Sequence, residues 1–432
     1  MLAPLLMLAL SQCPAEVDLP PVAPGGYTGA SVAMDGDVAV IGAPLGTGND
    51  WATGVVLVYR NINGTWTREA ELAASDGLVG NMMGVSVDVS EDRVVAGAWF
   101  EDSLGTDSGA AYVFVHADGA WTQEAKLKAD DPGANDIFGR TVAIDGSTIV
   151  VGAPLDDDQG GSTGSAYVFE RGSSGWSQVQ KLLGTPVLGS DQFGLGLDLN
   201  GDDLAIGAPW ADNGTGLAHV FKRTKGSYQQ VTSLSDDSGA PEDFFGFELA
   251  LDHQRVVIGA YRDDDAGLDA GRVVVFEESS GTWTAVQTLL PEGDDIIEDQ
   301  FGVSVALDGE LLLIGSRFGG TGEGAATSYL LLDDNTWIVN HHIQPPDPQL
   351  AAEFGWAVAI DGDRALIGEL EADPDGMAHF YDGMLEACGC QGDINGDQYV
   401  NVNDLLAVIS GWGNPYTVDD LLNVIAGWGI CE

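Results

Sequence analysis

Short runs of alternating apolar and polar residues recur along most of the chain, broken by Asp-Gly, Asn-Gly and Ser-Gly steps. Between positions 140 and 182 there are four such runs: Arg140 to Ile144, Thr148 to Gly152, Ser165 to Phe169 and Trp176 to Leu182. They are separated by Asp145-Gly146, by an acidic loop, and by Ser173 to Gly175. A period of two over four to eight residues, bounded by turn residues, predicts half-buried strands joined by tight turns. The group of four then repeats. The block Phe138-Gly139 to Gly152-Ala153-Pro154 returns as Phe193-Gly194 to Gly207-Ala208-Pro209, and Gly29 to Gly42-Ala43-Pro44 is a further copy. Weaker copies begin at Gly84, Gly246, Gly302 and Gly355, so the seven signature glycines lie 52 to 56 residues apart.

Four strands at a fixed period near 55 residues predict one blade of a β-propeller per repeat, and seven copies predict a seven-bladed ring. The seventh copy runs from Phe354-Gly355 to Met377-Ala-His-Phe-Tyr381 and lacks a fourth strand. Glu16 to Leu19 precedes Gly29 as Glu69 to Leu72 precedes Gly84, so the N-terminal segment is expected to supply that strand and close the ring. Closure removes the open sheet edges that would otherwise invite aggregation. One aromatic also recurs per unit, at Trp66, Trp121, Trp176, Tyr228, Trp283 and Trp337. A residue that recurs with the repeat is expected to pack blade against blade rather than to offer a ring of sugar platforms.

Composition narrows the function. The 432 residues carry 67 acidic and 16 basic side chains, a net charge of −51. Such a surface repels phosphate backbones and anionic lipid, which argues against nucleic-acid and membrane-surface binding, and makes divalent cations natural partners. With 44% hydrophobic residues the chain has enough apolar content for a large core, and 60 glycines suit many tight turns. Strand parity places two loops per blade on one face: those between strands two and three, and those that link blades. Both sets are acidic. Asp156-Asp157-Asp158 and the run Asp263, Asp265, Asp269 are candidate weak metal sites on this rim, and Asp136, Asp191, Asp243 and Asp299 form a repeated Asp-x-Phe-Gly expected to cap turns.

These residues resemble the FG-GAP repeat of integrin alpha-subunit heads and many exported bacterial proteins, over roughly residues 14 to 383. The resemblance implies a propeller that acts as a binding or adhesion module. The family's calcium-binding copies carry an Asp-x-Asp-x-Asp-Gly-x-x-Asp loop between the first two strands. Here that connection is only Asp35-Gly36-Asp37, Asp145-Gly146, Asn200-Gly201-Asp202 or Asp308-Gly309, which are tight turns.

A different pattern begins near residue 391. Asp393, Asn395, Asp397, Asn401 and Asp404 stand at positions 1, 3, 5, 9 and 12 of a loop, with the Tyr399 carbonyl at 7, the ligand order of an EF-hand calcium site. Gln398 stands where such loops carry glycine. The run Val402 to Gly413 is repeated as Val418 to Gly429, with apolar spacing that predicts a helix. The pair resembles a dockerin, which implies docking to a cohesin or retention at a surface. Asn414-Pro-Tyr416 leaves no room for a second set of ligands, so one Ca2+ site is expected. The whole is therefore read as all-β, a seven-bladed propeller at 14–383, then a linker at 384–390 and a small α-helical EF-hand/dockerin-like module at 391–432.

Residues 1–11 form a short apolar run ending in Ala9 and Ser11, read as an export signal, so the protein is expected outside the cell. Lipid anchoring at Cys13 is the less favoured alternative. Cys13, Cys388, Cys390 and Cys431 allow three pairings, of which Cys390–Cys431 and Cys13–Cys388 are preferred because they would close the C-terminal module and clip the chain's start to the end of the ring. No nucleophile motif, phosphate loop or zinc spacing appears, and the six histidines are scattered. The expectation is a monomeric, non-catalytic calcium-binding adhesion protein with an extracellular protein or glycan ligand on the acidic face, a cohesin-like or cell-surface protein partner at the C-terminus, and no transmembrane segment. The alternative is a carbohydrate-active hydrolase or lyase, or an accessory subunit of such a complex.

Overall fold

The computed structural model describes residues 15–17, 26–48, 50–292, 296–320, 322–372, 376–385, 399–400 and 429–430. Seven four-stranded antiparallel sheets follow one another in chain order. The third blade consists of Thr141–Asp145, Thr148–Ala153, Ser165–Gly172 and Gly175–Leu182, within a residue or so of the alternating runs at most ends. The seventh is built from Phe354–Asp361, Arg364–Glu369 and Met377–Asp382, completed by Ala15–Val17 from the start of the chain. Ala15 pairs with Asp382 and Val17 with Phe380, so the first strand and the last close the ring. Among the described residues the helical content is one four-residue turn, Ala211–Gly214, in a loop of the fourth blade.

The core is not central. It consists of seven apolar clusters, each lying between two neighbouring blades. Val40, Val58 and Leu72 of the first blade meet Val87, Val94 and Phe114 of the second. The last cluster joins Leu366 and Phe380 of the seventh blade to Ile41, Leu57 and Trp66 of the first. Trp66 stacks on Phe380 at 4.2 Å between ring centroids. Trp121 and Trp176 donate their indole N–H to Glu69 and Glu124, each on the preceding blade, at 2.9 and 3.1 Å. The recurring aromatic thus serves blade packing, as its repetition implied.

The signature glycines have a specific cause. The first has a φ near +90° in every blade, for instance +89° at Gly139, a conformation that disfavours any side chain. The second lies against the first glycine of the next blade. A Cβ on Gly207 would stand 1.9 Å from the Gly246 carbonyl oxygen, and one on Gly368 would stand 2.2 Å from that of Gly29. Backbone therefore touches backbone at every blade interface, including the closing one.

The hairpin face is tied together by a second ring. The side chain of the turn between strands one and two accepts a backbone N–H from the next blade's turn: Asp35 from Glu91, Ser90 from Gly146, Asp145 from Gly201, Asp252 from Gly309, Asp308 from Gly362 and Asp361 from Gly36. In the fourth blade Asn200 donates instead to the Asp252 carboxylate at 3.2 Å. These aspartates are turn residues that also staple neighbouring blades.

Candidate functional site

The opposite face carries the loops. The glycine before strand three bridges in parallel to the phenylalanine that follows strand four, as in Gly164 with Phe193 and Gly271 with Phe301. Both acidic loop sets therefore meet on one face, as strand parity requires. The repeated aspartate of Asp-x-Phe-Gly caps its own turn: Asp136, Asp191 and Asp243 accept the N–H of Gly133, Leu188 and Ala240. Asp299 is buried at the equivalent place.

The rim carboxylates are not simply solvated. Glu101, Asp156 and Asp263 occupy the same position in blades two, three and five and are only 4%, 2% and 1% exposed. Each is held by a cation of the chain itself. Lys126 lies 2.9 Å from Glu101 and 2.6 Å from Asp76. Lys181 lies within 2.8 Å of Asp131, Asp156 and Asp158. Arg272 reaches Asp236 at 2.7 Å, Asp265 at 2.6 Å and Asp263 at 3.4 Å. Asp156 also accepts hydrogen bonds from Ser165 and from the Tyr167 hydroxyl, at 2.7 and 2.8 Å. Burial alone would raise the Asp156 carboxyl, but Lys181, the Asp158 N–H and the two hydroxyls outweigh it and hold it below the usual range.

The candidate rim metal residues are thus placed as follows. Asp156 and Asp158 share Lys181, Asp263 and Asp265 share Arg272, and Asp269 faces Arg262 at 3.6 Å. Among the described residues no group of three or more His, Cys, Asp or Glu side chains could hold a metal ion. An ammonium or guanidinium stands among the carboxylates where a weak metal site was expected: the three crowded negative charges of Asp131, Asp156 and Asp158 need a counter-charge, and Lys181 of the chain itself supplies it. The C-terminal ligands Asp393, Asn395, Asp397, Asn401 and Asp404, the four cysteines and the export segment lie outside the described residues. Of the residues after 385, the structure describes Tyr399–Val400 and Gly429–Ile430, which pair antiparallel.

A second set of charges, missed in the sequence, lines the central channel. Strand one of all seven blades surrounds a cavity of about 440 Å3. Asp88, Asp198, Glu248 and Arg140 project into it, with Trp99 and Trp356 at the loop-face end. Burial drives the three carboxyls up, Asp88 to about 7, Asp198 to about 6 and Glu248 to about 8. Arg140 lies over the Trp99 ring at 5.0 Å. The signal was present in the repeat: aligned on the signature glycine, the fourth residue on is alanine in five blades and aspartate in two.

A closed ring of four-stranded blades with paired loops on one face defines a seven-bladed β-propeller. The FG-GAP repeat model matches residues 66–114, 121–169, 176–221, 228–276 and 337–381, together more than half of the chain. The chain belongs to the FG-GAP repeat family. Each matched unit starts on the recurring aromatic of strand four, at Trp66, Trp121, Trp176, Tyr228 or Trp337, and ends in strand three of the next blade. Among solved structures, Sqt1 of Saccharomyces cerevisiae is similar over 83% of this chain and 86% of that chain, with a TM-score of 0.47 and 12% identity. No helix among the described residues is long and apolar enough to cross a membrane.

Proposed function

We propose that this chain is an exported, calcium-binding adhesion or scaffold protein whose propeller presents its loop face to an extracellular protein or glycan, while the C-terminal segment binds Ca2+ and docks a partner. The observation that carries the first half is the pairing of two loops per blade on one face of a rigid closed ring, in a member of the FG-GAP family. Loops held by a stiff scaffold are where recognition is placed at little cost to the fold. The second half rests on the ligand order from Asp393 to Asp404, whose oxygens match a calcium loop and whose sequence-repeated flank resembles a dockerin. In that segment Asp393, Asn395, Asp397, Asn401 and Asp404 would supply side-chain oxygens and Tyr399 its carbonyl.

The test is retention of the intact protein on a panel of immobilised polysaccharides and extracellular proteins, in calcium and in chelator. Saturable retention that needs calcium and releases no product is expected. Release of oligosaccharides during the incubation would instead assign the chain to the carbohydrate-active enzymes.

A further inference from the structure

The fourth blade breaks a pattern that the second and third share. On the loop face of those two blades a tyrosine, the lysine opposite it on strand four and a buried carboxylate form one network: Tyr112, Lys126 and Glu101, then Tyr167, Lys181 and Asp156. In blade four the same positions are His219, Ser233 and Ala211, with His219 again opposite Ser233. Together these replacements remove the charged network and leave a cleft of about 10 Å3 between the third and fourth blades, room for one water-sized group. Thr163, Gly184, Asp191, Phe193 and His219 line it, and the exposed Gln159 stands at its edge.

Two of these polar walls are unpaired. Asp191 and Thr163 are 4% and 5% exposed, and among the described residues neither Asp191 Oδ1 nor Thr163 Oγ1 has a hydrogen-bond partner. Both residues are fixed by their other atoms: Asp191 Oδ2 accepts the Leu188 N–H at 2.7 Å, and the Thr163 carbonyl accepts the Phe193 N–H at 3.0 Å. His219 is 1% exposed, and burial pushes its imidazole down to about 4, so the ring is neutral at physiological pH. The Thr185 N–H donates to Gln230 Oε1 at 3.0 Å and so orients that amide, whose nitrogen lies 3.1 Å from His219 Nδ1. An amide nitrogen only donates, which makes Nδ1 the acceptor and assigns the ring proton to Nε2. Nε2 points toward Gly184 of the cleft wall, where an added Cβ would stand 3.0 Å from it.

The cleft therefore offers two donors, the Thr163 hydroxyl and the His219 Nε2–H, and one acceptor, Asp191 Oδ1. A hydroxyl group carries the complementary set, one donor and two lone pairs. An ammonium has no lone pair for the donors, and a carboxylate has no proton for Asp191. No three of the described His, Cys, Asp or Glu side chains gather to hold a metal ion. An aromatic surface adjoins the cleft. Trp210 donates its backbone N–H to the Asp191 carbonyl at 3.2 Å, rests its ring on Phe244 at 4.8 Å and stays 46% exposed. It lies in a loop and is not one of the recurring strand-four aromatics, so blade packing does not account for it. An exposed indole beside a hydroxyl-sized polar pocket suits a sugar, whose C–H face covers the ring while one hydroxyl is bonded.

We propose, on the reading of the loop face as a recognition surface, that the cleft between the third and fourth blades binds a neutral carbohydrate. One hydroxyl enters to donate to Asp191 and to accept from Thr163 and His219, and the sugar ring lies on Trp210. The net charge of −51 disfavours acidic polysaccharides.

Saturation-transfer NMR and calorimetry on the full chain test this, with oligosaccharides of glucan, galactan, mannan and xylan as probes and oligogalacturonate as the charged control. Saturable binding of at least one neutral probe is expected, and none of the charged one. Thr163→Val removes a hydroxyl that the fold does not use, so the variant should keep the parent's urea midpoint and bind about tenfold more weakly. Trp210→Ala should weaken binding by at least as much, while Trp51→Ala, at an exposed tryptophan of the first blade, should match the parent. Unchanged affinity in Thr163→Val, or no neutral probe bound so that the cleft holds only a water, overturns the proposal. Retention of an extracellular protein in place of any sugar overturns it as well, while leaving recognition by the loop face intact.

Discussion

Replacing Lys181 with methionine is expected to cost about 3 kcal/mol of stability at neutral pH, the scale for removing one partner of a buried ion pair. Asp156 would keep its burial, being 2% exposed. It would lose the ammonium at 2.8 Å, with Asp131 and Asp158 left beside it. The pH dependence gives the sign. In the parent, the Asp156 carboxyl is held down, so its contribution is present above the ordinary carboxylate range and is lost only as pH falls through the depressed value. In the variant, burial acts unopposed by the lysine and raises that carboxyl. Protonation then relieves the variant as pH falls from 7 to 5, and the gap to the parent narrows. Adding Asp156→Asn to Lys181→Met should recover most of the loss. Denaturation midpoints at pH 7 and pH 5 check this, and a loss under about 0.5 kcal/mol would place the pair with ordinary surface salt bridges.

Gly207→Ala is expected to be at least as damaging, again about 3 kcal/mol, through sterics alone. Its Cβ would stand 1.9 Å from the Gly246 oxygen, a backbone atom of the next blade held by its own sheet. No rotamer change can relieve that contact, so the fourth and fifth blades must separate, opening the cluster in which Ala205 and Val220 meet Leu249 and Ile258. Gly172 gives the control. Its nearest neighbour to an added Cβ is the Gly175 oxygen at 3.9 Å and its φ is not positive, so Gly172→Ala should be neutral or slightly stabilising. A comparison of the two alanine variants by urea midpoint isolates the blade contact from the general effect of losing a glycine.

The ring was legible in the sequence because its cause is periodic. The two glycines recur in all seven blades, a buried phenylalanine before the first of them in five and a strand-four aromatic in six, so the signals reinforce one another. The closing strand was legible for the same reason, since Glu16 to Leu19 stands in register with Glu69 to Leu72, and the structure places the pairing at Ala15–Val17. What the two glycines do was not legible, because a contact between Gly207 and the Gly246 oxygen is a property of assembled blades. The rim was read only in part. Its charge and its face follow from strand parity, but the pairing of Asp156 with Lys181, 25 positions along, depends on strand four returning beside the loop. The channel was missed although its evidence was present. Asp88 and Asp198 sit inside alternating strands of normal appearance and stand out only when the seven copies are aligned column by column.

The most direct test of the account is a calorimetric calcium titration of the full chain beside the variant Asp393→Ala/Asp397→Ala. One site is expected in the parent and none in the variant, because the rim carboxylates already have Lys126, Lys181 and Arg272 as counter-ions and the proposed calcium ligands lie between Asp393 and Asp404. Several sites that persist in the variant would contradict it and would make the propeller's loop face itself a metal-binding surface.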